Sequence, residues 1–147
     1  MIAKAVIFHY NKTGDDMKEN ILIAKSIDFG ARIVKLHQYL VKTKHESVLS
    51  KQILRSGTSI GANINEAQYG HSKADFIAKL HISLKETAET EYWLRLLQKS
   101  EYLDEPMAAS LLNDCLEIKR ILIASITTAK ENEAHPCNDD QYGEESP

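Results

Sequence analysis

A chain of 147 residues, 43% hydrophobic and 27% charged, is long enough for one domain with its own core and has an ordinary soluble composition. Its longest early apolar run, Ala5 to Phe8, is too short for a signal peptide or membrane span, and its two cysteines form no Cys-x-x-Cys pair. These features argue against a membrane protein and a disulfide framework and place the chain in the cytoplasm. The net charge of −3 hides an uneven distribution, since Glu131, Glu133, Asp139, Asp140, Glu144 and Glu145 follow Lys130 with no base among them. From Lys18 to Ser56 there are eight bases and three acids, and from Glu86 to Glu117 eight acids and two bases. Such polarity either steers a phosphate backbone to one end or lets one subunit's basic region face its neighbour's acidic one.

Residues 1–16 read as an N-terminal extension, a short strand or a disordered lead closed by a turn at Lys12-Thr-Gly-Asp-Asp16. Met17 opens the regular pattern, so Met1 and Met17 both stand as possible starts. Ser26 is the expected N-cap of a first helix over 27–42, with Asp28 favourable near its positive end. On that helix Phe29, Gly30, Ile33, Val34, Leu36, His37, Leu40 and Val41 share an apolar arc of about 160°. A short polar link predicts an antiparallel second helix over 47–69.

The second helix carries the most distinctive stretch. Leu49, Ile53, Ile60, Ile64 and Ala67 form one stripe with Gly57 and Gly61 beside it, a small-xxx-small spacing that suits close approach of a neighbouring helix. Opposite run Gln52, Arg55, Ser59, Asn63 and Glu66, which is either a solvated face or an intersubunit or ligand surface. Gly70 fits a left-handed helix end, and Ser72-Lys-Ala-Asp75 a capping start for a third helix to about Ser100. Phe76, Leu80, Leu84, Leu94 and Tyr102 make its main stripe, interrupted by Thr87 and Glu91. Ile82, Trp93, Leu96 and Leu97 lie almost opposite, a second apolar face for a homo-oligomer interface. Asp104-Glu-Pro106 opens a fourth helix to about Glu131, with Ala108, Leu111, Leu112, Cys115, Leu122, Ile126 and Ala129 inward. Ile118 and Ile121 widen that face toward the interface. Residues 132–147 read as a disordered acidic tail. The expectation is an all-α, antiparallel, up-down-up-down four-helix bundle over 17–131.

Sequence patterns for catalysis are sparse. There is no Glu-x-x-His unit for a dinuclear metal, no phosphate loop and no Gly-x-Ser-x-Gly elbow, so neither metal nor cofactor is expected. Glu91, isolated in an apolar stripe, is expected to pair with a polar or basic side chain across a bundle or subunit contact. Arg32-Ile-Val-Lys-Leu-His37 resembles the Arg-x4-His motif of the HEPN ribonucleases, but five residues turn a helix by about 140°, which separates the two side chains. A packing histidine accounts better for His37. Arg32, Lys35, Lys42, Lys44, Lys51 and Arg55, with Tyr39 interleaved, form a candidate phosphate-binding surface.

Five segments together carry a family likeness: Ile33-Val-Lys-Leu36, Leu49 to Ala67 with its Arg55-Ser-Gly-Thr-Ser-Ile-Gly-Ala-Asn-Ile-Asn-Glu-Ala67 core, Phe76-Ile-Ala-Lys-Leu80, Leu84 to Leu94, and Ser100-Glu-Tyr-Leu103. Over about residues 18–132 the chain resembles the four-helix proteins encoded in intervening sequences of bacterial 23S ribosomal RNA genes. Related to these is the accessory variability determinant of diversity-generating retroelements, a basic homopentameric barrel that binds nucleic acid and its reverse transcriptase. The resemblance implies an up-down bundle, a homopentameric ring and no catalytic residues. Three functions follow as expectations: a non-enzymatic ring that binds RNA or DNA, a scaffold that recruits another protein, or a ribonuclease using Arg32 and His37.

Overall fold

The computed structural model describes residues 15–134, with side chains from Ile21 onward. Four helices account for most of these: α1 (Asp15–Lys42), α2 (Val48–Ala67), α3 (Lys73–Lys99) and α4 (Glu105–Ala134). They pack as a four-helix bundle in which α1 lies against α2 and α4, and α3 against α2 and α4. The diagonal backbones stay apart, so side chains fill the centre. Most of the predicted extension and acidic tail lies outside the described residues. At the boundaries, Asp15 and Asp16 belong to α1, and residues 132–134 still belong to α4.

Helix α1 starts earlier than expected. Ser26 is not its cap; it is 2% exposed, in mid-helix, and its hydroxyl donates to the Ile23 carbonyl at 2.7 Å. The inward face is Leu22, Phe29, Ile33, Leu36 and Leu40. It is narrower than the expected arc, since Val34 and Val41 are 40% and 36% exposed and an added Cβ at Gly30 would meet nothing within 4 Å.

Helix α2 is started by Glu46 rather than by a serine. The backbone turns at His45, whose φ of 55° is left-handed, and Glu46 N–H closes the turn on the Leu40 carbonyl at 2.9 Å. The Ser47 side chain makes no capping bond. Glu46 Oε1 accepts from the N–H groups of Val48 (3.0 Å) and Leu49 (2.9 Å), and Oε2 from Ser50 (2.8 Å). One carboxylate thus serves three of the orphan donors at a helix start.

The two α2 glycines hold α1 close. A Cβ on Gly57 would lie 2.8 Å from both Ile33 Cγ1 and Cγ2, and one on Gly61 would lie 3.1 Å from Ser26 Oγ. Gly70 is not left-handed, since no described glycine has positive φ. Its requirement is space: a Cβ there would sit 3.2 Å from the Ala67 carbonyl, Asp75 Oδ2 and Phe76 N. The helix ends instead through tightened i to i+3 bonds, Tyr69 N to Glu66 O (3.0 Å) and Gly70 N to Ala67 O (3.1 Å).

Helix α3 is capped by Ser72, whose hydroxyl accepts from Asp75 N at 3.1 Å. Its buried face is Ile77, Leu80, Ser83, Thr87, Thr90, Leu94 and Leu97, so hydroxyls occupy the middle of the core stripe. Each has a partner: Ser83 donates to the Ile60 carbonyl (2.9 Å), Thr87 to the Ser83 carbonyl (2.8 Å), and Thr90 Oγ1 lies 2.9 Å from Ser56 Oγ. The small satisfied groups let α2 and α3 approach closely without an unpaired polar cost. Glu101, at φ 66°, closes α3, and Asp104 Oδ1 starts α4 by accepting from Met107 N at 2.9 Å. All seven residues expected to face inward on α4 are buried, and Ile118 is buried with them.

Candidate functional site

The six cations proposed as one surface are divided by the fold. Arg32 turns into the seam between α1 and α4, where its guanidinium donates to Asp114 Oδ2 (2.6 Å), Ser110 Oγ (2.9 Å) and the Ser110 carbonyl (3.3 Å). Arg55 turns into the α2–α3 seam and bonds Glu89 and Glu86. The Glu89 hydrogen bond raises the Arg55 pKa, and Arg55, helped by the Trp93 indole, holds the Glu89 carboxyl below its usual range. These seams lie on opposite sides of the bundle, so the two arginines share no surface. Lys35, Lys42, Lys44 and Lys51 are exposed and make no ion pair among the described residues. Three of them, Lys42, Lys44 and Lys51, flank the α1–α2 turn.

The polar stripe of α2 is largely satisfied within its own chain. Ser59 Oγ donates to the Arg55 carbonyl (2.7 Å), Asn63 Nδ2 to the Ser59 carbonyl (2.8 Å), and Glu66 accepts from Lys79 of α3 at 2.8 Å. Gly57 and Gly61 of the same motif pack against Ile33 and Ser26 of α1.

Of the six proposed interface residues, Leu97 and Ile118 are corrected. They are 0% and 1% exposed within one chain and have no surface to offer a second. Leu97 follows Leu94 by three residues, which keeps it on the inward face that Ser83, Thr87 and Thr90 disguise. Ile82 is 41% exposed, and Trp93, Leu96 and Ile121 are half-buried. Sequence reasoning missed a stronger face on α1: Ala24, Ile27, Ala31, Val34 and Val41 are all exposed, Ile27 by 64%. With Gln38 they alternate at three and four residues, the spacing of a coiled-coil seam, which was the available signal.

Glu91 does pair, with Lys119 across to α4 (2.9 Å) and with Arg95 one turn on (2.9 Å). The Lys119 hydrogen bond first, then that of Arg95, holds its carboxyl below the usual range. A carboxyl depressed in the folded state stabilises it above the unfolded value of about 4.3, and that contribution is lost as pH falls through the folded value. Glu91→Gln is therefore expected to be less stable than the parent at pH 7 and to converge with it as the pH falls through the lowered Glu91 range, in urea titrations at several pH values.

His37 is half-buried, with Nδ1 unpartnered among the described residues, while Arg32 is tied to α4. They do not converge on a common cleft. Cys115 is buried and free, and burial pushes its thiol up to about 12. Among the described residues no three His, Cys, Asp or Glu side chains cluster to hold a metal, and no helix is long and apolar enough to cross a membrane. Two concavities follow the α1–α4 seam. The larger, about 260 Å³, is lined by Arg32, Lys35, Leu36, Tyr39, Met107 and Leu111; the smaller, about 120 Å³, lies farther along, by Lys25, Asp28 and Glu117.

Fold and surfaces together define an all-α four-helix bundle protein with exposed apolar stripes and a cluster of lysines without ion pairs among the described residues. The chain belongs to the 23S rRNA-intervening sequence protein family, whose model matches residues 18–124. It is similar to a crystal structure from Bacteroides thetaiotaomicron, described as a protein of unknown function from the S23 ribosomal protein family. The two are 54% identical over 75% of this chain and 98% of that one, with a TM-score of 0.74. No curated protein matches.

Proposed function

We propose that this chain is a non-enzymatic, antiparallel up-down-up-down bundle whose copies close into a ring that binds RNA or DNA through the lysines of the α1–α2 turn. The single observation that carries the binding is the contrast among cations: both arginines are matched by carboxylates, while Lys42, Lys44 and Lys51 are left to solvent around one turn. Unmatched lysines release counterions when a phosphate takes their place.

The register of contacts supports the antiparallel order. Gly57 meets Ile33 while Gly61 meets Ser26, and Arg55 reaches Glu86 while Glu66 reaches Lys79, so numbers rise on one helix as they fall on its partner. Two different apolar faces support the ring. The α1 stripe of one copy, in a basic stretch, complements the Ile82, Trp93 and Leu96 face of α3 in another, on the side that carries Glu86 and Glu89. A contact between unlike faces is head-to-tail and closes into a ring when the rotation allows. The resemblance to the retroelement determinant supplies the number five. Repetition around a ring would multiply a weak lysine patch.

The test is a salt series of fluorescence anisotropy with RNA and DNA, alongside sedimentation. The parent is expected to sediment as a defined oligomer, and Ile27→Asp/Val34→Asp as single chains. Neutralising Lys42, Lys44 and Lys51 to Gln is expected to weaken binding at least about tenfold and flatten the salt slope. Arg55→Gln, whose charge is already matched, should bind as the parent does. A parent that binds neither nucleic acid, or a triple variant equal to it, refutes the binding; an oligomer without nucleic-acid affinity would instead fit a protein scaffold.

A further inference from the structure

The larger α1–α4 groove differs from the lysine cluster in having a floor. Leu36, Leu111 and Met107 supply apolar surface, and the half-buried ring of Tyr39 lies beside them. Arg32 stands at its edge and is held in place, since Asp114 and both oxygens of Ser110 fix the guanidinium plane. Because Asp114 balances that charge, the net positive charge at the rim comes from Lys35, which is exposed and makes no ion pair among the described residues. Lys42 follows Lys35 by seven residues, which places it on the same face about 10 Å along the helix axis.

From this we infer that the groove seats an unpaired base of a single-stranded nucleic acid, with Tyr39 and the clamped Arg32 as flat surfaces and Lys35 and Lys42 tracking the strand's phosphates. The inference rests on the nucleic-acid reading above and narrows it from any phosphate backbone to single strands. Charge complementarity calls for an anion, and the apolar, aromatic floor calls for a flat uncharged group attached to it. A nucleotide has both. A duplex offers only the first, because its bases are stacked inside and their faces cannot reach a side groove. The volume of about 260 Å³ is smaller than the clefts that enclose a drug-sized ligand, which suits one base with its sugar left outside.

The experiment uses the full chain and three labelled probes of equal length: an unstructured RNA strand, the same strand annealed to its complement, and an abasic strand. The parent is expected to bind the unstructured strand at least about tenfold more tightly than the other two. Tyr39→Leu should lose about five- to tenfold on the single strand, the loss of one stacked base, and leave duplex affinity unchanged. Tyr39→Phe, which keeps the ring, should bind as the parent does. A 2-aminopurine in the strand should be quenched on binding the parent and remain bright with Tyr39→Leu. Equal affinity for all three probes, or a Tyr39→Leu variant indistinguishable from the parent on the single strand, overturns the groove while leaving the lysine reading intact. Failure of the parent to bind any probe overturns both.

Discussion

Replacing Gly57 by alanine is expected to destabilise the chain by about 2 kcal/mol, although the same change in an exposed helix stabilises by about 1 kcal/mol. The reversal comes from one neighbour. The new methyl would stand 2.8 Å from two γ-carbons of Ile33, a residue with no exposed surface. A β-branched side chain is stiff at χ1, and these carbons are next to the backbone, so Ile33 cannot swing away without moving α1. Overpacking of this kind costs about 1–3 kcal/mol, and two simultaneous contacts place it at the upper end. Gly61→Ala provides the contrast. Its methyl would meet the Ser26 hydroxyl at 3.1 Å, a group that can yield a few tenths of an ångström, so its effect should stay within about 1 kcal/mol of zero. The decisive measurement is a double-mutant cycle in urea at fixed protein concentration. Ile33→Ala alone should cost about 2–5 kcal/mol, and adding Gly57→Ala to it should cost at least about 1 kcal/mol less than in the parent, because the γ-carbons are gone. Strict additivity would show that Gly57 is not held by Ile33.

This pair also shows what the amino-acid pattern could and could not convey. Two glycines four apart in a helix announce a close neighbour, and α1 is that neighbour, but nothing in the pattern says which residue fills the gap. Helix α4 was legible almost residue by residue because its inward face is continuously apolar. On α3 the same reasoning slipped, because Ser83, Thr87 and Thr90 sit at the centre of the buried face, where backbone carbonyls and the Ser56 hydroxyl satisfy them. With the middle of the stripe written in hydroxyls, Leu97 seemed to belong to the outer side. On α1 two residues of the outer stripe, Val34 and Val41, fall within the expected inward arc, since they are apolar on both readings and only packing tells them apart. The candidate site was legible as a set of cations but not as a surface. Charge is visible in a sequence; its cancellation by Asp114, Glu86 and Glu89, all distant along the chain, is not.

Glu46→Ala is expected to cost about 2 kcal/mol, a large effect for a residue at a turn. Its carboxylate accepts from three backbone donors, and Ser50, the innermost, is fully buried. Water can replace the carboxylate at Val48 and Leu49 more easily than at Ser50, whose N–H would be left unsatisfied, and an orphaned buried donor costs about 1–3 kcal/mol. Glu46→Gln keeps one acceptor oxygen and should fall between the parent and alanine. The same residue bears on how the turn meets phosphate. A helix start is a ready anion site, but here the protein's own carboxylate fills it. A bound strand therefore has to be held by the side chains of Lys42, Lys44 and Lys51 rather than by backbone N–H groups, which is why neutralising those lysines should suffice to weaken binding. If Glu46 occupies an anion site, emptying it should make the site available. Inorganic phosphate is then expected to raise the melting temperature of Glu46→Ala more than that of the parent, with a saturating dependence on concentration, whereas sodium chloride at matched ionic strength should not. Equal responses of the two chains to phosphate would mean that the start of α2, once emptied of the Glu46 carboxylate, is not an anion site.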